Sequence, residues 1–211
     1  RNINFANNGV YFPSTTNSSA LELNSLFGSK ASNNLIVGYT TVRDDRDPLG
    51  QNFPTVRIDD GNNGTIRFGS EAFSTANQLD TDVLTITDNF KMYKGAHTLT
   101  FGTHNEFTKF YNLFIRQNFG SYRYGSLNAF LNDEGADEYD RSYSLVDDIT
   151  GDGSAAAAEF NTIQFGLYVQ DEWEVSNKFT LTTGLRIDIP VLTTDPDIDP
   201  SFNTTTLAAI D

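Results

Sequence analysis

The stretch "FGLYVQDEWEVSNKFTLTTGLRIDIP", residues 165–190, alternates apolar and polar side chains on both sides of a short break at residues 176–178. A period of two residues sustained over this length is that of a β-strand and not of a helix. Because only the three residues "SNK" separate the two alternating runs, the stretch predicts a long antiparallel β-hairpin.

The alternation gives this hairpin one apolar and one polar face. The apolar positions are Phe165, Leu167, Val169, Trp173, Phe179, Leu181, Leu185 and Ile187. The polar positions are Gln164, Tyr168, Gln170, Glu172, Arg186 and Asp188. Runs of this length exceed the usual strand of about 5–6 residues, so each face is expected to meet a different environment along its whole length.

The same layout occurs twice earlier in the chain. Residues 97–110 set Leu99 and Phe101 against His104 and Glu106, and residues 78–93 precede them across a "KGA" turn. In that preceding run Asp88 falls on the apolar parity, and a β-bulge at residues 87–89 would re-aim it. The sequence thus predicts six strands in three hairpins, at residues 18–28, 33–45, 78–93, 97–110, 162–175 and 179–190.

The connections between these strands differ sharply in length. Three to five residues close each hairpin, whereas residues 46–76 and 111–159 form long acidic segments between hairpins. Short turns at one end and long loops at the other are typical of outer-membrane barrels, whose strands need about 9–11 residues to cross the bilayer. Trp173 and Phe179 lie beside a short turn, where an interfacial aromatic girdle is expected.

The pattern therefore predicts an all-β fold, an antiparallel transmembrane β-barrel segment in the bacterial outer membrane. Its apolar face would meet lipid, and its polar face would meet the lumen or a plug. Six strands are fewer than the eight of the smallest single-chain barrels, so the segment is expected to belong to a larger barrel. The alternative is a soluble, secreted β-sandwich or adhesin-type binding module without a transport role.

Composition narrows the function classes. The chain of 211 residues has no cysteine, which excludes disulfides and thiol chemistry. Its formal net charge of −14 argues against nucleic acid as a partner, because phosphates require a basic surface. No grouping of nucleophile, base and acid has a supporting context, so we expect a protein that is not an enzyme.

Two hairpins resemble those of a known family. "LYVQDEWEVSNKFTLTTGLRIDIP" (residues 167–190) and "KGAHTLTFGTHNEF" (94–107) are similar to hairpins of TonB-dependent outer-membrane receptors. "VRDDRDPLGQNFP" (42–54) and residues 112–132 resemble loops of the Oar-like branch, which carries a carboxypeptidase-regulatory-like domain. The resemblance implies energised uptake of a bulky nutrient, a plug inside the barrel and a TonB system on the periplasmic side. A surface lipoprotein is a further possible partner, and no plug domain is recognised within these residues.

One loop has the spacing of a calcium site. In "DITGDGSAAAAE", residues 148–159, the ligand positions of a calcium loop fall on Asp148, Thr150, Asp152, Ser154 through its carbonyl, and Glu159. The alternative is an acidic surface loop, because threonine is a poor ligand and no helix flanks the segment. His97 and His104 are seven residues apart, which puts them on opposite faces of one strand and prevents them from sharing an ion. No other cofactor is expected.

Overall fold

The computed structural model describes residues 2–144 and 153–195, and strands dominate both parts. In chain order the strands are β1 (Asn2–Asn4), β2 (Val10–Tyr11), β3 (Ser14–Phe27), β4 (Ala31–Asp45), β5 (Asp47–Pro48), β6 (Thr55–Asp59), β7 (Thr65–Phe68), β8 (Asn77–Lys94), β9 (His97–Phe114), β10 (Ser121–Tyr124), β11 (Glu138–Asp140), β12 (Ala158–Ser176) and β13 (Phe179–Leu192). One short α-helix, α1, spans Leu127–Leu131, and single 3-10 turns lie at Ala6–Asn8 and Ser154–Ala156.

Six long strands form one antiparallel sheet in the order β13-β12-β9-β8-β4-β3. Strands β3 and β4, β8 and β9, and β12 and β13 are hairpins closed by turns of two or three residues. Gly28 and Gly95 occupy two of these turns with φ of 62°, a left-handed conformation that glycine adopts without a steric penalty. The prediction of six long strands in three hairpins is confirmed, and most of the strands extend further toward the long connections than predicted.

The register extends the alternation across the whole sheet. Leu167 lies opposite Ile187, and Tyr168 lies opposite both Arg186 and Gly102. Because directly opposite residues point to the same side of a sheet, the ten predicted apolar positions share one side, called here the apolar face. The other side is called the polar face. On β8 the apolar face extends from Leu84 to Met92, which is about 26 Å along the strand at about 3.3 Å per residue.

The bulge at residues 87–89 that would re-aim Asp88 is absent. Ile86, Thr87 and Asp88 pair without a register shift with β4 on one side and β9 on the other. Asp88 therefore stays on the apolar face. A bulge requires an extra residue in one strand, and the equal spacing of β4, β8 and β9 leaves none. The irregularity that the long sheet does contain lies between Glu174 and Ser176, next to a turn.

No second layer of the described residues covers the apolar face. Leu185 is 78% exposed, Leu21 72% and Leu167 62%. Buried apolar side chains instead form a small cluster at the loop end of the sheet, with Ala76, Leu113 and Ile115 at its centre. A β-sandwich would bury such a face against a second sheet about 10 Å away, and that arrangement is not found in residues 2–144 and 153–195.

The long connections build a second, smaller sheet in the order β1-β7-β6-β10-β11. Two of its pairs are parallel, β1 with β7 and β6 with β10. Ile58 is its most buried apolar side chain, 1% exposed, and Phe68 and Phe130 pack edge to face with ring centroids 5.6 Å apart. Ser126 begins α1 by accepting a hydrogen bond from the Ala129 amide. This loop sheet was not predicted from the sequence.

None of the helices in the described part of the chain is long and apolar enough to cross a membrane.

Candidate functional site

The candidate functional site is the polar face of the long sheet. All eight residues predicted for the lumen or plug side lie on it: His104, Glu106, Gln164, Tyr168, Gln170, Glu172, Arg186 and Asp188. Within one row Asn89, Gly102, Tyr168 and Arg186 are successive neighbours across four strands. That this face meets a lumen or a plug stays a prediction.

Tyr168 lies flat across the neighbouring strand, over Gly102. A Cβ atom at position 102 would collide with the Tyr168 ring, so the ring position requires glycine there. The phenol then reaches one strand further and donates to Asn89 Oδ1 at 2.5 Å. The side chain thereby ties three strands together.

Arg186 and Asp188 form a bidentate ion pair on β13. Arg186 Nε lies 2.8 Å from Asp188 Oδ2, and Arg186 Nη2 lies 2.8 Å from Asp188 Oδ1. The guanidinium carbon is 5.4 Å from the centroid of the Tyr168 ring, within the range of a cation–π contact. A Cβ atom at Gly166 would lie 2.9 Å from both charged groups. The pair is thus set against bare backbone and remains partly open to whatever covers the face.

Two other predicted residues bond to neighbouring threonines. His104 Nδ1 lies 2.7 Å from Thr87 Oγ1, so its neighbour on β8 is its partner and not Glu106. Glu106 Oε1 accepts from Thr108 Oγ1 at 3.1 Å. Gln164, Gln170 and Glu172 complete the face along β12.

The first hairpin adds polar residues to this face that were not among the predicted site residues. Asn34 donates to Glu22 Oε1 at 2.6 Å and to Asn24 Oδ1 at 2.9 Å. Asn24 and Asn34, together with Asn89, border a recess of about 560 Å³ whose other side is formed by Tyr168 and Gln170. The alternation of β3 and β4 contained the signal, because each of these asparagines stands next to an apolar residue of the opposite parity.

A family model described as "Outer membrane beta barrel domain" matches residues 2–207, which is nearly the whole chain. The chain belongs to the outer membrane β-barrel domain family. This membership agrees with the long antiparallel sheet and its uncovered apolar face, and it places the protein in the bacterial outer membrane. No curated protein sequence and no solved structure matches the chain.

Only part of the predicted calcium loop of this β-barrel domain lies within the described residues. Asp148, Thr150 and Asp152 lie outside the described residues. Ser154 opens a 3-10 turn, and Glu159 is exposed near the start of β12, opposite Tyr111 of β9. In residues 2–144 and 153–195 no group of three or more histidine, aspartate or glutamate side chains is arranged to hold a metal. The calcium site stays a prediction.

The loop sheet of the β-barrel domain contains a charged cluster around Asp59. Arg123 Nη2 lies 3.0 Å from Asp59 Oδ2, and Arg57 Nη2 lies 3.1 Å from Asp59 Oδ1. The hydrogen bond from Arg123, with a smaller one from Arg57, holds the pKa of the Asp59 carboxyl below its ordinary value despite partial desolvation. Backbone amides of Asn62 and Gly64 lower the pKa of the neighbouring Asp60 in the same way.

Proposed function

We propose that this chain is part of a TonB-dependent receptor that takes up a bulky nutrient across the outer membrane. Its six long strands would form part of the barrel wall, and its long connections would form outer loops. The receptor assignment rests on the resemblance of the hairpins at residues 94–107 and 167–190 to those of such receptors, and the Oar-like branch on the loops at residues 42–54 and 112–132.

The observation that carries the proposal is the two-sidedness of the long sheet. Its apolar face extends over about 26 Å of strand on β8, close to the roughly 25 Å apolar band of outer-membrane barrels, and no second layer of described residues covers it. Its polar face combines hydrogen-bonding side chains with glycines at positions 38, 102, 166 and 184. Such a face suits a plug that slides or unfolds against it better than it suits hydrocarbon.

The proposal assigns a partner to each surface. Lipid of the outer membrane covers the apolar face, and the receptor's plug packs against the polar face. The TonB system acts from the periplasmic side, where the short turns lie. The acidic outer loops meet the nutrient or a surface lipoprotein. No step of bond chemistry is assigned to this chain, which we propose is not catalytic.

The alternative of a soluble, secreted β-sandwich or adhesin-type module is less well supported. It requires a second protein layer over Leu21, Leu167 and Leu185, which are among the most exposed apolar side chains of the described residues. It also conflicts with membership of the outer membrane β-barrel domain family.

TonB dependence can be tested on the whole protein in its own outer membrane. We expect the detergent-solubilised receptor to bind the purified periplasmic domain of TonB. We also expect growth on a panel of bulky nutrients to fall equally when the receptor gene or the TonB gene is deleted. A receptor that retains heat-modifiable barrel migration on gels but neither binds TonB nor supports growth on any nutrient would overturn the transport proposal while leaving the barrel intact.

A further inference from the structure

A patch of polar side chains lies on the apolar face, where the proposed function has no use for it. The patch consists of Asn33 on β4, Asp88 on β8, and Thr103 and Asn105 on β9. Asn33 Nδ2 donates to Asp88 Oδ1 at 2.6 Å, and Asn105 Nδ2 donates to Thr103 Oγ1 at 2.9 Å. Thr103 Oγ1 in turn donates to the Gly166 carbonyl at 2.9 Å. This set is called the outward polar patch.

The outward polar patch lies in the middle of the apolar band and not at its edge. Asp88 is four residues from Leu84 and four from Met92, the two ends of the band on β8. Phe90 and Phe101 flank it toward the short turns, and Leu84 and Phe107 flank it toward the loops. Across the sheet the row of Asp88 continues into Leu35 on one side and Leu167 on the other.

The carboxyl of Asp88 has few partners in this position. Among the residues that the structure describes, Asn33 is its one hydrogen-bond donor. The basic side chains that the long strands place on the apolar face stand at its ends, Lys94 near the turns and Arg43 and Lys109 near the loops. Hydrocarbon offers neither donors nor acceptors, so polar groups at this depth are costly unless another protein surface meets them.

We propose that the outward polar patch is the contact between two copies of this chain in the membrane. A two-fold axis along the bilayer normal would relate the copies. It would lie between them, in front of the boundary between β8 and β9 of each copy. Such an axis sets β8 of each copy against β9 of the other. The acceptor Asp88 is on β8 and the amide donor Asn105 is on β9, so the patch complements itself twice over.

The self-complementarity is the reason for choosing a second copy over a different membrane protein. Asn105 Nδ2 gives one hydrogen bond to Thr103, and an amide nitrogen has a second hydrogen to donate. Facing Asp88 of the other copy, that hydrogen would supply the donor that hydrocarbon lacks. Polar side chains that bond across an interface are a general means of association within membranes.

Cysteine cross-linking tests this contact, because these 211 residues contribute no thiol and the unsubstituted whole receptor gives the background. The Thr103→Cys variant of the whole receptor, in intact outer membranes, is treated with an oxidant that forms disulfides. We expect a product of twice the receptor mass that disappears on reduction. The matched control is Ile187→Cys, which lies in the same row two strands away on β13 and should give no such product.

A second variant connects the product to the patch. Adding Asp88→Leu and Asn105→Leu to Thr103→Cys should reduce the yield of cross-linked dimer severalfold. No dimer from Thr103→Cys, or a cross-linked product of a mass other than twice the receptor, overturns the proposal. So does an undiminished dimer yield after the leucine substitutions.

The dimer proposal rests on the proposed function, which assigns the apolar face to the outside of the barrel. Thiol labelling distinguishes a failure of the dimer from a failure of that assignment. A lipid-soluble maleimide should label the thiol of Thr103→Cys in the presence of detergent, and a membrane-impermeant maleimide should not label it in intact cells. Labelling by the impermeant reagent would mean that this face lines an aqueous space, which would overturn the wall assignment as well as the dimer. If only the lipid-soluble reagent labels Thr103→Cys and no dimer forms, the dimer is overturned and the wall assignment stands.

Discussion

At position 102 a hydrogen atom is all that fits beneath the Tyr168 ring. The tyrosine covers bare backbone and reaches Asn89 on the strand beyond. The contact depends on two residues that are 66 positions apart in the chain, and neither signals the other in the sequence. It is the clearest case on the polar face of one side chain fixing the position of its neighbour.

We expect Gly102→Ala to destabilise the receptor by about 1–3 kcal/mol, the usual cost of overpacking a tight contact. The measurement is the unfolding midpoint in detergent or liposomes, read from the mobility shift of the folded barrel on gels. Gly135→Ala is the matched control, because a Cβ there meets no atom within 4 Å. Adding Tyr168→Ala should recover much of the loss in Gly102→Ala, and the absence of any recovery would mean that the collision is not the cause.

The calcium prediction also belongs to single residues. If residues 148–159 bind the ion, millimolar calcium should slow proteolysis within residues 147–160, and Asp152→Ala should abolish that protection. The readout is the fragment pattern of the whole receptor with and without calcium. Asp140→Ala, in β11, is the control and should keep the protection. Equal cleavage of parent and Asp152→Ala in both conditions would leave the segment as an acidic loop.

Within an element, β12 places opposite environments on alternate residues. Leu167 is on the apolar face and Gln170 on the polar face, so each can receive the same charge. We expect Leu167→Arg to cost about 2–4 kcal/mol of barrel stability near the middle of the bilayer. Gln170→Arg should cost little, because water or a plug can solvate it. The comparison is made by urea unfolding of the receptor in liposomes, and equal effects would contradict the assignment of the two faces.

The loop sheet responds to pH through Asp59. Its pKa is held below the ordinary value by Arg123 and Arg57, so the stabilisation is present above the ordinary aspartate pKa of about 3.9. It is lost as the pH falls through the lowered pKa. The effect should be modest, because the side chains are partly solvated.

We therefore expect amide protection in β6 and β10 to be constant from pH 7 to 5 and to fall below about pH 4. Hydrogen–deuterium exchange with mass spectrometry, corrected for intrinsic rates, measures it. Arg123→Gln should weaken protection at neutral pH and flatten the pH response. Arg67→Gln is the control, because Arg67 of β7 makes no ion pair among the described residues. An unchanged profile in Arg123→Gln would rule out this origin of the response.

The elements also show what sequence could predict. The long strands were predictable because a period of two over ten or more residues has no other reading. Strands of three to five residues such as β1, β6 and β11 carry too few alternations to stand out from a loop. The parallel pairing of β1 with β7 joins segments about 60 residues apart. Site residues on the polar face were predicted on β9, β12 and β13, but Glu22 and Asn24 on β3 and Asn34 on β4 were not among them.

Register was the property that the sequence did not contain. A bulge at residues 87–89 would turn Asp88 away from the apolar face. The three-strand pairing of β4, β8 and β9 shows that the acid stays on that face. A residue that breaks a pattern can mark an irregular backbone or a regular backbone with a second use, and only the neighbouring strands distinguish the two.

At the scale of the molecule, the long sheet has two free edges within the described residues, β3 and β13. Open edges in hydrocarbon leave backbone groups unpaired at several kcal/mol each, so a closed wall requires strands that pair with β3 and β13. We expect the whole receptor to require detergent for extraction and to migrate faster on gels before boiling than after. A monodisperse monomer in buffer without detergent would contradict the barrel.

The spatial order of the six long strands repeats their order along the chain. Each hairpin is therefore a self-contained unit, and it joins its neighbour through one edge only. A gene that duplicated or lost one such unit would widen or narrow the cylinder without rerouting the polypeptide. The loop joining two hairpins could change independently of the strands. The extracellular surface could therefore change during evolution while the barrel strands stay the same.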